Sequence, residues 1–219
     1  KALELPHEAF RELAGHCAAT GIEFLSTPFD IGSAHFLAGM GMRRFKVSSG
    51  DLTNKPFLPA LARLGLPVIL SSGMATLGEI EAAVEVLEAE NLDLSRIALL
   101  HCTTEYPAPF AEVNLKAMQT IAAAFPAAEV GYSDHTEGIE VPVAAVAMGA
   151  RIIEKHLTLD RTMPGPDHKA SLEPAGMAAM VSAIRNVELA LGDGRKRPTA
   201  SEMPNRSVAR KSIVAARAI

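Results

Sequence analysis

The chain repeats one pattern: a short run rich in β-branched and apolar residues, a polar turn, and then an amphipathic helix. Six such runs alternate with helical stretches along the 219 residues. This alternation predicts parallel strands wrapped by helices, because each return to a parallel sheet needs a crossover segment. The predicted strands are Ile22–Thr27, Arg44–Ser49, Pro67–Ser72, Arg96–Thr103, Glu129–Ser133 and Arg151–His156, and the predicted helices cover residues 7–20, 32–40, 56–64, 77–90, 112–124, 138–148 and 173–191.

The choice between an open doubly wound sheet and a closed barrel depends on the strand ends. Nearly every predicted strand ends in hydroxyl, charged or imidazole side chains, such as Ser48-Ser49, Ser71-Ser72 and His156. In a (β/α)8 barrel these ends converge on one mouth, where the active site lies. We therefore expect an α/β fold of the (β/α)8 TIM-barrel type, present as about six βα units that correspond to strands 3–8. Because the chain begins on a helix, two further units are expected in front of it.

Charge separates two regions, a barrel domain over residues 1–194 and a basic tail over residues 195–219. The tail holds seven Lys or Arg residues against one acid, Glu202, which leaves the barrel region acidic. A basic tail can indicate nucleic-acid binding, but an acidic body favours a solvated or linker role for the tail. No apolar run reaches the roughly 20 residues of a membrane span. We expect no nucleic-acid or membrane partner.

Cys17 and Cys102 have neither metal-binding spacing nor a disulfide-rich setting. We expect buried thiols in a reducing compartment. The sequence also shows no basic-then-apolar leader, so a cytoplasmic protein is expected.

Two histidines, His135 and His156, end consecutive predicted strands and can face one point at the barrel mouth. Neutral imidazoles with open coordination positions suit Mn, Zn, Fe or Co, and Asp134 is a candidate to orient one of them. No third protein ligand is evident, so two unrelated polar residues on loops remain an alternative. His101, within an apolar run, is expected to be a hydrogen-bonded core residue.

A second group of polar residues suits an anion. A phosphate needs several hydroxyl or amide donors and a cation, whereas each hydroxyl alone is equally typical of a helix cap. Gly50 and Gly73 would let the backbone approach a ligand. The candidates are Thr27, Lys46, Ser49, Ser71 and Ser133.

Three further residues lie on loops at the predicted mouth. Asp51 is a candidate to move a proton or to position water, with capping of the helix near Pro56 as the alternative. Tyr106 and Asp167 lie on loops that are candidates for substrate binding, although the Pro-Gly-Pro turn before Asp167 also suits a rigid surface turn.

Seven ordered motifs from about residue 20 onward resemble the sialic acid synthase family, which includes N-acetylneuraminate, legionaminate and pseudaminate synthases. They are Ser-Thr-Pro-Phe (26–29), Phe-Lys-Val-Ser-Ser-Gly-Asp (45–51), Ser-Ser-Gly-Met (71–74), Leu-His-Cys-Thr-Thr-Glu-Tyr-Pro (100–107), Gly-Tyr-Ser-Asp-His-Thr (131–136), Glu-Lys-His (154–156) and Pro-Gly-Pro-Asp-His (164–168).

The resemblance implies condensation of phosphoenolpyruvate with an N-acylated amino-sugar aldehyde, either N-acetylmannosamine or 2,4-diacetamido-2,4,6-trideoxymannose. It implies that His135 and His156 bind the metal, with Mn2+ expected and Mg2+ or Co2+ as alternatives. It assigns Thr27, Lys46, Ser49, Ser71 and Ser133 to phosphoenolpyruvate, Tyr106 and Asp167 to the sugar, and Asp51 to proton transfer or water positioning.

The resemblance also implies a homodimer at full length, with an antifreeze-like C-terminal domain beyond the linker. Thr104 occupies a substrate-binding position that is Asn in some neuraminate synthases, which leaves the sugar open. The rival functions are a metal-dependent pyruvate aldolase and a non-catalytic barrel that binds a sugar or a phosphate.

Overall fold

The computed structural model describes residues 5–214 and 216–217. Parts of the two predicted regions lie outside the described residues, namely residues 1–4 of the barrel region and residues 215 and 218–219 of the tail. Within the described part, strands and helices alternate as the sequence predicts. The elements are α1 His7–Thr20, α2 Ile31–Gly39, β1 Phe45–Val47, α3 Phe57–Ala62, β2 Val68–Ser71, α4 Leu77–Ala89, β3 Ile97–Cys102, α5 Lys116–Ala124, β4 Glu129–Asp134, α6 Glu140–Ala147, β5 Ile153–Lys155, α7 Pro174–Leu191 and α8 Met203–Ala209.

The first predicted strand, Ile22–Thr27, is wrong. These residues pair with no strand among those described. The Ser26 N–H instead approaches Met42 Sδ at 3.4 Å, and the Glu23 carboxylate pairs with Arg44. A β-rich composition favours an extended backbone, but a strand also needs a neighbour that accepts and donates ladder hydrogen bonds.

The five strands form one parallel sheet in the order β1-β2-β3-β4-β5. Side chains alternate between its two faces, and the face against the helices is apolar and buried. Leu70 and Leu99 are adjacent in register there and fully buried. Each fully buried leucine contributes about 1.5–3 kcal/mol to folding, so this layer holds sheet and helices together.

The sheet curls into a half-barrel, and its opposite face lines the inside of this half-barrel. Ile69, Ala98 and Leu100 form a separate small cluster on it, with Ile152 packed alongside. A Cβ at Gly131 would come within 2.4 Å of the Ile152 carbonyl oxygen, so only glycine lets β4 approach its neighbour there. The α/β class is confirmed, while closure by eight strands stays a prediction.

Local signals set the helix ends that lead to the site. Thr76 and Glu79 form a reciprocal capping box at the start of α4, which satisfies two otherwise free amides. Gly21 ends α1 in the left-handed conformation, with φ at 74°. In the tail, α8 is short and exposed, and the linker role stays a prediction. No helix in the described residues is long and apolar enough to cross a membrane.

Candidate active site

A cavity of about 430 Å³ opens where the C-terminal ends of the strands meet. Strand alternation places every second side chain on this inner side, which explains why residues far apart in sequence converge. Nine of the eleven predicted site residues line the cavity, and they are Thr27, Lys46, Ser49, Ser71, Thr104, Tyr106, Ser133, His135 and His156.

The predicted anion-binding residues differ in whether their hydrogen-bond donors already have a partner in the protein. The Lys46 ammonium is nearly buried and donates to the Val47 carbonyl at 3.1 Å. Ser49 Oγ accepts the Gly73 N–H at 2.9 Å, which leaves its own proton free to donate. Ser71 Oγ is buried and has no partner among the described residues. A buried hydroxyl without a partner is costly, and an anion in the cavity would supply one.

Glu154 lines the same cavity and is not among the site residues predicted from the sequence. Its Oε1 accepts from Ser133 Oγ at 2.6 Å, and its Oε2 lies 3.5 Å from Lys46 Nζ. Strand parity could have identified it, because a residue two positions before His156 on one strand faces the same side.

His135 is held in one orientation by the backbone. Burial lowers the pKa of its imidazole, which keeps the ring neutral at neutral pH. The ring Nδ1 lies 2.7 Å from the Thr103 carbonyl oxygen. A carbonyl only accepts, so Nδ1 carries the proton and Nε2 keeps its lone pair.

His156 lies beside His135 at the cavity wall. Their ring centroids are 5.3 Å apart, and the Tyr106 ring lies 4.1 Å from His135 and 5.6 Å from His156. The described residues contain no group of three or more His, Cys, Asp or Glu side chains able to hold a metal. The donor set therefore fits a divalent ion that takes two imidazole ligands and completes its shell with water or substrate oxygens.

Asp134 makes no hydrogen bond to either imidazole within the described residues, which differs from its expected orienting role. Its carboxylate accepts from Lys155 Nζ at 2.6 Å and from Thr136. The carbonyl of Thr103 orients His135 instead. Sequence proximity favoured Asp134, but strand alternation turns adjacent side chains to opposite faces.

Asp51 lies in a short 3-10 turn beside the cavity and does not line it. Its carboxylate accepts from Ser48 Oγ at 2.8 Å and from Asn54 Nδ2 at 3.0 Å. Asn54 Oδ1 in turn accepts the Phe57 N–H at 3.3 Å at the start of α3. Asp51 thus braces Asn54, whose amide oxygen accepts the first N–H of α3, and the catalytic role of Asp51 stays a prediction.

Asp167 lies on the exposed loop after β5 and is also absent from the cavity wall. Side chains from two neighbouring segments hold this loop: Arg161 pairs with Glu137 at 3.1 Å, and His168 Nδ1 lies 2.8 Å from Thr158 Oγ1. Burial, and then nearby negative charge that includes Asp167, raises the pKa of Tyr106. The phenol therefore stays protonated and can donate to a ligand.

Two further expectations concern His101 and the cysteines. His101 Nε2 lies 2.7 Å from the Val113 carbonyl oxygen, which confirms the hydrogen bond, although the residue is half-buried rather than in the core. Cys102 is buried as predicted, whereas Cys17 is partly exposed on α1. Cys102 also lines the cavity, and burial raises the pKa of its thiol.

A sequence model of the NeuB family matches residues 1–196. The N,N'-diacetyllegionaminic acid synthase of Campylobacter jejuni is 53% identical over 213 residues, which cover 97% of this chain and 64% of that protein. The N,N'-diacetyllegionaminic acid synthase of Legionella pneumophila is 47% identical over 215 residues, or 97% of this chain and 60% of that protein. The chain therefore spans less than two thirds of the length of either relative.

The fold is similar to that of a solved relative. The crystal structure of N-acetylneuraminic acid (sialic acid) synthetase from Leptospira borgpetersenii, in complex with citrate, matches with a TM-score of 0.85 at 38% identity. The match covers 94% of this chain and 70% of that chain.

Proposed function

Because the chain belongs to the NeuB family, we propose that it forms the catalytic barrel of a synthase that condenses phosphoenolpyruvate with an N-acylated amino-sugar aldehyde. The product is a nine-carbon ulosonic acid. Phosphate is released by cleavage of the C2–O bond of phosphoenolpyruvate. The proposal concerns a protein of the relatives' length, to which this chain contributes the cavity.

One observation supports this proposal above the others. The cavity combines a nearly buried ammonium and a buried, unpartnered hydroxyl with two adjacent imidazoles. The first two suit a phosphate, and the imidazoles suit a divalent ion. A reaction that joins a phosphorylated substrate to an aldehyde needs both.

Lys46, Ser49, Ser71 and Ser133 are proposed to bind phosphoenolpyruvate, with Thr27 at the rim. Hydrogen bonds between a cation and a phosphate are about twice as strong as neutral ones. Preorganised donors would also hold C3 of phosphoenolpyruvate against the aldehyde carbon, which reduces the entropy lost at the transition state.

His135 and His156 are proposed to hold a divalent ion, with Mn2+ expected. When bound, it would supply Lewis-acid stabilisation of the negative charge that develops on the aldehyde oxygen. The neutral His135 ring, with its proton on Nδ1, has Nε2 free for this purpose. Tyr106, Thr104 and Asp167 are proposed to bind the sugar.

In the proposed reaction, C3 of phosphoenolpyruvate forms a bond to the aldehyde carbon, water adds at C2, and the C2–O bond to phosphate breaks. Of the two protons of this water, one leaves with the phosphate as the C2 oxygen becomes a ketone. The other must be lost as the water adds, and it balances the proton that the former aldehyde oxygen gains as it becomes a hydroxyl. Glu154 is the cavity carboxylate nearest to the anion-binding donors, and Asp51 is the carboxylate that the family resemblance implies. Either is a candidate to accept that proton.

The acceptor proposed first is 2,4-diacetamido-2,4,6-trideoxymannose, because the two relatives reported above are named as N,N'-diacetyllegionaminic acid synthases. N-acetylmannosamine is the second candidate. A pyruvate aldolase would have no use for the phosphate donors, and a binding-only barrel would have no use for paired imidazoles, so neither rival accounts for the whole cavity.

The test is release of phosphate from phosphoenolpyruvate in the presence of Mn2+, with each sugar offered separately. Both the 219-residue chain and a version extended to the relatives' length are assayed. Release that depends on one sugar is expected from the extended version and identifies the acceptor. No release from the extended version with either sugar would contradict the synthase proposal.

A further inference from the structure

A buried ion pair lies directly behind the two histidines. Lys155 Nζ is 2.6 Å from Asp134 Oδ2, and the two side chains are 1% and 0% exposed. Asp134 and Lys155 are partners in the β4–β5 register. Each immediately precedes one histidine, so the pair connects the last residues of the two strands that carry His135 and His156.

Thr136 completes this network on the other side of His135. Its hydroxyl donates to Asp134 Oδ1 at 2.9 Å, and its N–H donates to the same oxygen at 3.1 Å. Lys155 Nζ also donates to the Thr136 carbonyl. The backbone on both sides of His135 is therefore fixed to the end of β5.

Stability alone does not explain a buried pair of this kind. Removing two charges from water costs several kcal/mol per ion, and well-packed apolar residues often serve stability equally well. What an ion pair adds is a defined geometry between the two strand ends, since an ammonium at 2.6 Å from a carboxylate tolerates little sliding.

The histidines need such a geometry. His135 is held from the β3 side by the Thr103 carbonyl. The His156 imidazole makes no hydrogen bond within the described residues, while the His156 backbone carbonyl accepts from the Leu172 N–H at 2.8 Å. The position of the His156 ring relative to His135 therefore depends on how the end of β5 is held against the end of β4.

We propose that the Asp134–Lys155 pair positions His135 and His156 at the separation that binds a divalent ion. Asp134 and Lys155 are positioning residues: Lys155 borders the cavity, but its ammonium is bound by the Asp134 carboxylate and the Thr136 carbonyl, and neither side chain is hydrogen-bonded to an imidazole within the described residues. The inference rests on the proposed metal-binding role of the two histidines, and it assigns this role to groups that do not touch the ion.

The test compares the wild-type chain with the double variant Asp134→Asn/Lys155→Met, which leaves no unpaired buried charge. Three quantities are measured: Mn2+ affinity from the electron paramagnetic resonance signal of free Mn2+, the thermal unfolding midpoint, and the imidazole 15N signals of His135 without metal. The control variant Arg185→Ala removes the surface ion pair to Glu188. Metal binding is measured well below each variant's unfolding midpoint.

We expect the folded double variant to bind Mn2+ about 10- to 100-fold more weakly, the range typical when groups that orient metal ligands are lost. Arg185→Ala should bind as the wild type does, and Lys155→Arg, which keeps the cation, should recover part of the loss. Wild-type affinity in a folded double variant would overturn the proposal.

Two other outcomes are also decisive. If the double variant does not fold, Thr136→Val takes its place, because it removes only the hydroxyl that holds Asp134. Weaker Mn2+ binding in that folded variant supports the proposal, and unchanged binding overturns it. If the wild-type chain binds no Mn2+, the metal part of the proposed function fails. Positioning is then judged by the His135 imidazole signals, which should differ between wild type and double variant.

Discussion

The Lys46 ammonium lies 3.5 Å from the Glu154 carboxylate, although the two residues come from the first and last strands of the sheet. Adjacent strands are about 4.8 Å apart, so a flat sheet would separate β1 from β5 by roughly four such spacings. The contact therefore requires the sheet to curl, and it brings a cation and an anion to the centre of the cavity.

Replacing Lys46 by alanine is expected to weaken phosphoenolpyruvate binding about 10- to 100-fold, because hydrogen bonds to charged groups contribute about 1.5–3 kcal/mol. The change also leaves Glu154 without its countercharge next to the bound anion. The measurement is the phosphoenolpyruvate dissociation constant by calorimetry.

Lys116→Ala is the matched control for Lys46→Ala, since Lys116 is an exposed lysine outside the cavity wall. It should bind phosphoenolpyruvate as the wild-type chain does. Equal affinity of Lys46→Ala and Lys116→Ala would remove Lys46 from the anion site.

Replacing His135 by alanine is expected to abolish retention of Mn2+, because one of two imidazole donors is lost and the described residues offer no group of three or more acidic, His or Cys ligands. Metal content after gel filtration is the measurement. His16→Ala changes an exposed histidine on α1 and should retain the ion. Full retention by His135→Ala would refute the metal assignment.

Much of the fold could be predicted because the residue patterns that indicate a strand or a helix lie within the segment that forms it. Period-two and helical patterns located five strands and seven helices within a few residues. The error at Ile22–Thr27 arose because strand pairing is not local: nothing in those six residues tells whether a neighbour is in place. The same limit applies to closure of the barrel.

The candidate site was predictable to the extent that strand ends converge. Lys46, Ser71 and Ser133 lie at or within one residue of strand ends and were found on that rule. Strand parity applied to β5 would have added Glu154. The bond between Asp134 and Lys155 could not be read from sequence, since it depends on the register between two strands. Asp51 was expected to face the cavity, but its partners, Ser48 and Asn54, hold it beside the cavity wall, and this local bonding could not be predicted from strand ends.

Burial lowers the pKa of His135 in the folded chain below its ordinary value of 6.5. As the pH falls below that value, the unfolded chain takes up a proton at this residue before the folded chain does. The free energy of unfolding should therefore decrease with falling pH from about pH 6.5 down to the folded pKa. Urea unfolding of the metal-free chain at about pH 7.5 and about pH 5.5 measures this change. His135→Gln should show a smaller decrease, and an identical decrease in both chains would show that His135 does not contribute.

Replacing Gly73 by alanine is expected to damage the anion site while leaving the fold largely intact. The added Cβ would lie 2.1 Å from Thr104 Oγ1 and 2.8 Å from Ser49 Oγ. Both side chains must move, which breaks the bond from the Gly73 N–H to Ser49 and weakens phosphoenolpyruvate binding about tenfold or more. Gly78→Ala is the matched control, because a Cβ added at Gly78 would have no neighbour within 4 Å. Alanine in place of this glycine also stabilises helix α4 by up to about 1 kcal/mol. Calorimetric titration should separate the two variants, and equal phosphoenolpyruvate affinity would mean that Ser49 does not contact this substrate.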